Sequence, residues 1–265
     1  MSSCYTLSLH SMCPAPMLPS VRNCYILSMS NPRTDVDALA KLCRRTHIQY
    51  NQGFRKCTKP DWVVHSGFDI IHAYRHLFRM IEDDGPILVM EDDAQFMPAA
   101  KVSDFSEVDN HVQSHEFDLY TLGSMGCMQI LDSLNRKFLG SVNFAQAIIW
   151  SKAARNLFLR SEPCKCGHID AGFLSSRMSV HTYYKPLVVQ TFPATENQSN
   201  WCFICTPKDN AFDAIVWSRI VPLLVRLTRL DTCTGFWDIA YKMQTVEYLM
   251  MFFVVIWCTA LSGKF

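Results

Sequence analysis

Three consecutive carboxylates, Glu91, Asp92 and Asp93, are the residues of this chain whose types and spacing best suit chemistry. They follow the apolar run 87–90, which is typical of a buried strand, and ligands of open α/β sheets bind where such strands end. Carboxylates one residue apart can bind one hard divalent cation, Mg²⁺ or Mn²⁺, and leave positions for phosphate oxygens. We therefore expect Glu91 and Asp93, with Asp92 between them, to aim at one cation in the metal-assisted handling of a diphosphate. A polar loop after a strand is the alternative.

A second acidic triplet, Glu82, Asp83 and Asp84, serves as a comparison. It follows an amphipathic helical pattern and precedes Gly85 and Pro86, and these flanks indicate a helix end and a turn. Runs of charge usually face water. We therefore predict that this triplet is solvated surface rather than a site.

Length and composition bound the fold and the partners. A chain of 265 residues is long enough for one large α/β domain with appendages, or for two small domains. With 25 basic and 24 acidic residues the chain is nearly neutral, so it lacks the basic character of a nucleic-acid-binding protein, and we expect no nucleic-acid partner. The hydrophobic content of 49% is slightly high, and the excess lies mostly in the last fifty residues.

Strand and helix patterns alternate along the middle of the chain, which predicts an α/β fold with a mixed sheet flanked by helices. Predicted strands cover residues 24–29, 46–50, 87–91, 117–122 and 144–150, and the regular pattern ends with 183–189. Predicted helices cover 34–44 with Thr34 as cap, 66–81, and 152–160 with Ser151 as cap.

The two ends of the chain differ from this middle part. Residues 1–21 are expected to be a loose arm, because prolines interrupt their apolar stretch too often for a signal peptide.

Residues 206–265 combine a basic amphipathic pattern over 214–230 with an uncharged window over 248–263. As a helix this window would span roughly 24 Å of a ~30 Å hydrocarbon core, so a buried helix, a short membrane anchor and an interfacial helix stay open. Membrane-associated and cytoplasmic locations are both compatible with the sequence.

The chain has twelve cysteines, which are scattered rather than set in a regular frame. Cys164 and Cys166 together with Cys202 and Cys205 have a spacing that can hold a structural zinc ion. Disulfides in a secretory compartment and free buried thiols are the alternatives. The glycosylation sequon that begins at Asn197 would be used only if the chain entered the secretory lumen.

The order of these pieces resembles glycosyltransferase family 25, the lipooligosaccharide and collagen galactosyltransferases, whose fold is the nucleotide-diphospho-sugar GT-A type. The resemblance covers roughly residues 22–200. It rests on the helix that contains His72, the separation of His72 from the Glu-Asp-Asp triplet, the segments 117–123 and 144–154, and a turn with His168 and Asp170 followed by 184–190 and Ser199. Two positions depart from the family pattern: Arg33 alone stands where the family has two arginines, and Ile71 replaces the serine before the helix histidine.

The resemblance implies a GT-A-like domain over residues 22–205 that transfers a sugar from a nucleotide-diphosphate sugar to a hydroxyl of a glycan, a lipid-linked glycan or a protein. It implies Mn²⁺ or Mg²⁺ at Asp93 and Glu91. The resemblance further implies that the nucleotide sugar is bound by Arg33, His72, Glu91, Asp92 and Gln190. It implies two catalytic residues, Asp170 as general base and Asp92.

Simpler interpretations remain for several of these residues. Asp170 precedes Ala171 and Gly172 and would also suit a turn. His72 would also suit a packed core histidine, while His168 and His181 are the imidazoles placed late enough to complete a metal shell.

Two other classes of protein stay in view. The first is a catalytically degenerate GT-A-like protein that acts as a membrane-attached interaction module, which loss of nucleotide-sugar binding would distinguish. The second is a phosphate hydrolase built on strand-end aspartates. It needs an Asp-x-Asp pattern that the sequence from Asp92 to Ala94 lacks.

Overall fold

The structure is a computed structural model. It describes residues 4–29, 35–53, 56–64, 66–123, 129–132, 137–140, 146–163, 169, 177–190 and 221–229, and the single positions 232, 235, 250 and 253.

Eleven strands and five helices lie within these residues. The strands are β1 (Tyr5–Met12), β2 (Asn23–Ser28), β3 (Arg45–Asn51), β4 (Ile87–Glu91), β5 (Ala94–Phe96), β6 (Leu119–Thr121), β7 (Gln129–Asp132), β8 (Lys137–Gly140), β9 (Ala147–Trp150), β10 (Val180–Tyr183) and β11 (Val188–Gln190). The helices are α1 (Val36–Leu39), α2 (Ser66–Met80), α3 (Val102–Ser114), α4 (Lys152–Arg160) and α5 (Val221–Thr228).

Nine of the strands form one mixed sheet in the order β1-β3-β2-β4-β9-β6-β10-β8-β7. Strands β3, β2 and β4 are parallel, whereas β9 runs antiparallel between β4 and β6. Strands β5 and β11 pair separately as an antiparallel ribbon. Because β2 and β4 are parallel, their carboxyl ends, Ser28 and Glu91, lie at the same edge of the sheet.

Helices cover both faces of the sheet, as the predicted α/β fold requires. Side chains alternate along β2, so that Tyr25 and Leu27 pack in one core and Cys24 and Ile26 in the other. The first core is closed by α2 and α4, and the second by α1 and α3. The central strand β4 is buried from Ile87 to Met90, which explains its uninterrupted apolar sequence.

Several predicted elements are confirmed at their ends. Helix α2 begins at Ser66, and β4 ends at Glu91. Helix α4 begins after Ser151, whose side chain accepts a hydrogen bond from the Ala154 amide at 3.1 Å.

The prediction of a loose N-terminal arm was wrong. Residues 5–12 form the edge strand β1, which pairs antiparallel with β3. A disulfide between Cys4 and Cys57 fixes the start of this strand to the loop before α2. The interrupting prolines follow the strand, and the buried Leu18 and Val21 continue the core towards β2.

The helix predicted over 34–44 is limited to one turn, Val36–Leu39. Asp35 caps it by accepting from the Ala38 amide at 3.0 Å, and Thr34 lies outside the described residues. The helix ends at Leu39, and β3 begins at Arg45. Leu42, in the segment between them, is buried.

The hydrophobic tail is described over α5 and a few single positions. Helix α5, which lies within the predicted 214–230, exposes Leu223 and Leu227, at 55% and 72%, together with Arg226. Among the described residues, no helix combines the length and the apolar character that crossing a bilayer requires. The predicted apolar window 248–263 lies outside the described residues, except for the exposed Met250 and Phe253.

Candidate functional site

The acidic triplet spans the last residue of β4 and the turn that leads to β5. Glu91 is the last residue of β4 and is half-buried, while Asp92 and Asp93 are only 4% and 3% exposed. Burial of a carboxylate is costly unless polar partners compensate for lost water. The neighbours of these side chains therefore determine what the triplet can do.

The side chain of Gln190 joins the first and third carboxylates. Its Nε2 donates to Asp93 Oδ2 at 2.9 Å and lies 3.5 Å from Glu91 Oε2. Gln190 reaches this position because β11 pairs with β5 in a register that sets it opposite Ala94. Gln190, which is 99 residues from Glu91 and 97 from Asp93 in sequence, thus lies beside the two other predicted site residues at the end of β4.

Asp92 has a different partner. Ser28 Oγ donates to Asp92 Oδ2 at 2.8 Å, and both side chains are buried. Since Ser28 is the last residue of β2, this bond ties the ends of two neighbouring parallel strands. Such a contact suits the positioning of the chain after β2, and the catalytic role of Asp92 stays a prediction.

The carboxylate oxygens of this site are of the donor type that a hard divalent cation prefers. Glu91 Oε2 and Asp93 Oδ2 converge on one amide nitrogen, and the Gln190 amide carries an oxygen of its own. Mg²⁺ is commonly held by one or two carboxylates plus substrate phosphates. Within the described ranges, no three His, Cys, Asp or Glu side chains have the placement to hold a metal ion.

His72 lies in a separate aromatic cluster. Its Nδ1 is hydrogen-bonded to the hydroxyl of Tyr5, and its ring meets Trp62 edge-on at 5.4 Å. Burial, followed by the nearby Lys59, lowers the pKa of His72 to about 4. Tyr5 belongs to β1, which β3 and β2 separate from β4. These contacts match the alternative of a packed histidine, and nucleotide binding by His72 stays a prediction.

The comparison triplet is only partly a solvated surface. Glu82 and Asp84 are exposed, as predicted. Asp83 does not fit the prediction, because it is half-buried and accepts from the Asn23 side chain and from the Gly85 amide. Glu82 is therefore the better control for substitutions in the first triplet.

Two predicted site residues, Arg33 and Asp170, lie outside the described residues, as do His168 and the four cysteines of the predicted zinc site. His181 is described: its Nδ1 lies 3.0 Å from His111 Nε2, in the core between α3 and β10. Among the described cysteines, Cys4 and Cys57 form a disulfide and Cys13, Cys24 and Cys43 are free.

Ser28, Gly123 and Gln146 are site neighbours that sequence reasoning missed. Ser28 bonds Asp92, and Gln146 bonds the backbone of the strand that carries Gln190. A sequence signal existed for Ser28, since it lies near the end of the predicted strand 24–29. For Gln146 the sequence carries no comparable signal, because it stands within the segment 144–150 that was predicted simply as a strand.

No family model, curated protein or solved structure matches the chain. The family resemblance therefore rests on the residues quoted above.

Proposed function

We propose that this protein is a metal-dependent glycosyltransferase of the GT-A type, similar to glycosyltransferase family 25, that uses a nucleotide-diphosphate sugar and a hydroxyl acceptor on a glycan, a lipid or a protein. The observation that carries the proposal is the convergence of Glu91, Asp93 and Gln190 at the end of β4. A mixed sheet flanked by helices supports it at the level of architecture.

Glu91 and Asp93 are the proposed ligands of Mn²⁺ or Mg²⁺. The cation, when bound, supplies positive charge against the charge that develops on the departing nucleotide diphosphate. The protein contributes two carboxylates at fixed positions. Asp93 is almost fully buried, so its charge is poorly screened by water and attracts a cation more strongly than a surface aspartate does.

The Gln190 amide has two donors and one acceptor, which suits it to a position beside both carboxylates and a polar ligand. In the structure a donor faces the carboxylates. Rotation of the Gln190 amide by half a turn would direct its oxygen, instead of its nitrogen, towards the cation. Gln190 would then be a third oxygen ligand beside Glu91 and Asp93.

The proposal retains Asp170 as the base that accepts the proton of the acceptor hydroxyl, and Arg33 as a cationic partner of the diphosphate, both on the strength of the family resemblance. A correctly placed general base is worth roughly 10²–10⁴ in rate. Asp170→Asn should therefore reduce transfer by that factor and leave donor binding unchanged. Loss of donor binding in this variant would instead assign Asp170 to the donor site.

The proposal is tested by a binding screen of nucleotide sugars with and without Mn²⁺, followed by analysis of sugar transfer for any donor that binds. We expect one class of donor to bind only with Mn²⁺ and to be consumed. Binding without turnover, or no binding to a folded protein, would favour the alternative of a catalytically degenerate interaction protein.

Attachment to a membrane through residues 206–265 belongs to the same proposal. Its support is α5, where Leu223 and Leu227 are exposed beside Arg226, a combination that suits the surface of a bilayer. Deletion of residues 212–265 should move the protein from the membrane fraction to the soluble fraction and leave the sheet folded. A full-length chain already in the soluble fraction would contradict the attachment.

A further inference from the structure

Gln146 contacts the backbone on both sides of the candidate site. On one side, its carbonyl oxygen accepts from the Glu91 amide at 3.0 Å. On the other, its side-chain Nε2 donates to the carbonyl oxygens of Gly123 and Val188, the latter at 3.3 Å. Gln146 itself is fully buried. One residue thus joins the end of β4 to the strand that carries Gln190.

The backbone of β11 lies unusually close to the end of β6. A Cβ atom added to Gly123 would lie 1.8 Å from the carbonyl oxygen of Val188, so only glycine fits there. Beside it, the amides of Leu187 and Val188 both donate to the carbonyl of Leu122, at 2.6 and 3.2 Å. The Gln146 amide closes this junction, because its two hydrogens match the two carbonyl oxygens.

The position of Val188 decides the position of Gln190. The two residues are two apart in a strand of three, and β11 is paired with β5 from Val188 opposite Phe96 to Gln190 opposite Ala94. A shift of the Val188 carbonyl therefore carries the Gln190 amide with it. A movement of about 1 Å is enough to take the 2.9 Å contact with Asp93 out of hydrogen-bonding range.

We propose that Gln146 is a positioning residue, which sets the distance between the carboxylates of β4 and the amide of Gln190. This inference rests on the proposed function in treating those groups as the cation and diphosphate side of the site. An amide is required at position 146. A methionine of similar size cannot donate to the two carbonyls, and a glutamate would place negative charge against them.

The chain offers a closely matched control in Gln49. This glutamine is also buried in the sheet, at 1% exposure, and its Nε2 donates to the Ala73 carbonyl at 3.2 Å and to Asn51 at 3.1 Å. Its partners lie in β3 and α2 rather than at the end of β4. Gln146→Met and Gln49→Met therefore each remove one buried amide, but only the first touches the candidate site.

Both variants are compared with the wild-type protein by amide hydrogen exchange of residues 187–190 and by the dissociation constant of the Mn²⁺-dependent donor. In Gln146→Met we expect exchange in β11 to be roughly 10-fold faster and donor affinity roughly 10-fold lower, because the side-chain hydrogen bonds to the Gly123 and Val188 carbonyls are lost. In Gln49→Met we expect neither change. If Gln146→Met does not fold, Gln146→Asn, whose amide is one methylene shorter, is measured with the same expected contrast.

Equal exchange of β11 in the two variants, or an unchanged donor affinity in the position-146 variant, would overturn the positioning role. A wild-type protein that binds no nucleotide sugar would instead contradict the proposed function. The exchange contrast between positions 146 and 49 would then still decide whether Gln146 positions β11.

Discussion

Replacing Gly123 by alanine should displace β11 and separate Gln190 from the carboxylates. The new Cβ would lie 1.8 Å from the Val188 carbonyl oxygen, well below the 3.0 Å that real contacts respect. The obstacle is backbone rather than the end of a flexible side chain, so β11 or the end of β6 must move by about 1.2 Å. That movement is comparable to the tolerance of the hydrogen bond between Gln190 and Asp93.

The expected cost follows from two contributions. Overpacking of a buried position costs about 1–3 kcal/mol, and loss of a hydrogen bond to a charged group costs about 1.5–3 kcal/mol. Because the strand can relax in part, we expect the free energy of unfolding to fall by about 3 kcal/mol for Gly123→Ala. At about 2–4 °C per kcal/mol for a chain of this size, Tm should fall by about 6–12 °C.

Thermal unfolding of Gly123→Ala beside Gly85→Ala measures this effect. A Cβ at Gly85 would lie 3.3 Å from a side-chain oxygen of Asp83, which can move, so that variant should stay within about 1 kcal/mol of the wild-type protein. If Gly123→Ala has the same Tm as Gly85→Ala and the donor affinity of the wild-type protein, the close approach of β6 and β11 does not position Gln190, and the reasoning is refuted.

Three further predictions concern the frame around the site. Arg75→Met should lower the free energy of unfolding by about 3 kcal/mol in urea titrations, because the Arg75 guanidinium donates to three carbonyls at the end of α4. Arg79→Met, at an exposed position of α2 one turn after Arg75, should change it little. For His72 the folded-state pKa of about 4 lies below the usual 6.5, so the unfolded chain binds the proton first as the pH falls. Stability should therefore decrease from pH 6.5 towards 4, with a smaller decrease in His72→Gln; equal pH slopes would contradict this. Replacing Cys4 and Cys57 by serine should cost about 2–4 kcal/mol, since their disulfide spans 53 residues, and a reductant should then have no further effect on the double variant.

The parts of the fold that sequence predicted best are those in which local pattern and packing agree. Residues 87–91 form a buried central strand because four consecutive apolar side chains have cores on both faces of the sheet. Helix α4 was predicted with its cap because Ser151 supplies the acceptor that a helix start lacks. Both results depend on interactions between residues close in sequence.

The parts that failed depend on distant partners. Strand β1 buries only Tyr5, so its own pattern is weak, and pairing with β3 and the disulfide between Cys4 and Cys57 determine its structure. The convergence of Glu91 and Gln190 was anticipated only through the family resemblance, since they are 99 residues apart. The junction at Gly123 was not anticipated, because a close approach of two backbones leaves no periodic signal.

The most direct test of the central claim is a titration of Mn²⁺ in the presence of the bound nucleotide sugar, with the wild-type protein, Asp93→Asn and Glu82→Gln. Asp93→Asn keeps the shape of the side chain and removes its charge, while Glu82 is exposed and serves as the control for loss of a carboxylate. We predict Mn²⁺-dependent binding in the wild-type protein and in Glu82→Gln, and its loss in Asp93→Asn with little change in Tm. Equal Mn²⁺ affinity in the two variants would contradict the assignment of the cation to the end of β4.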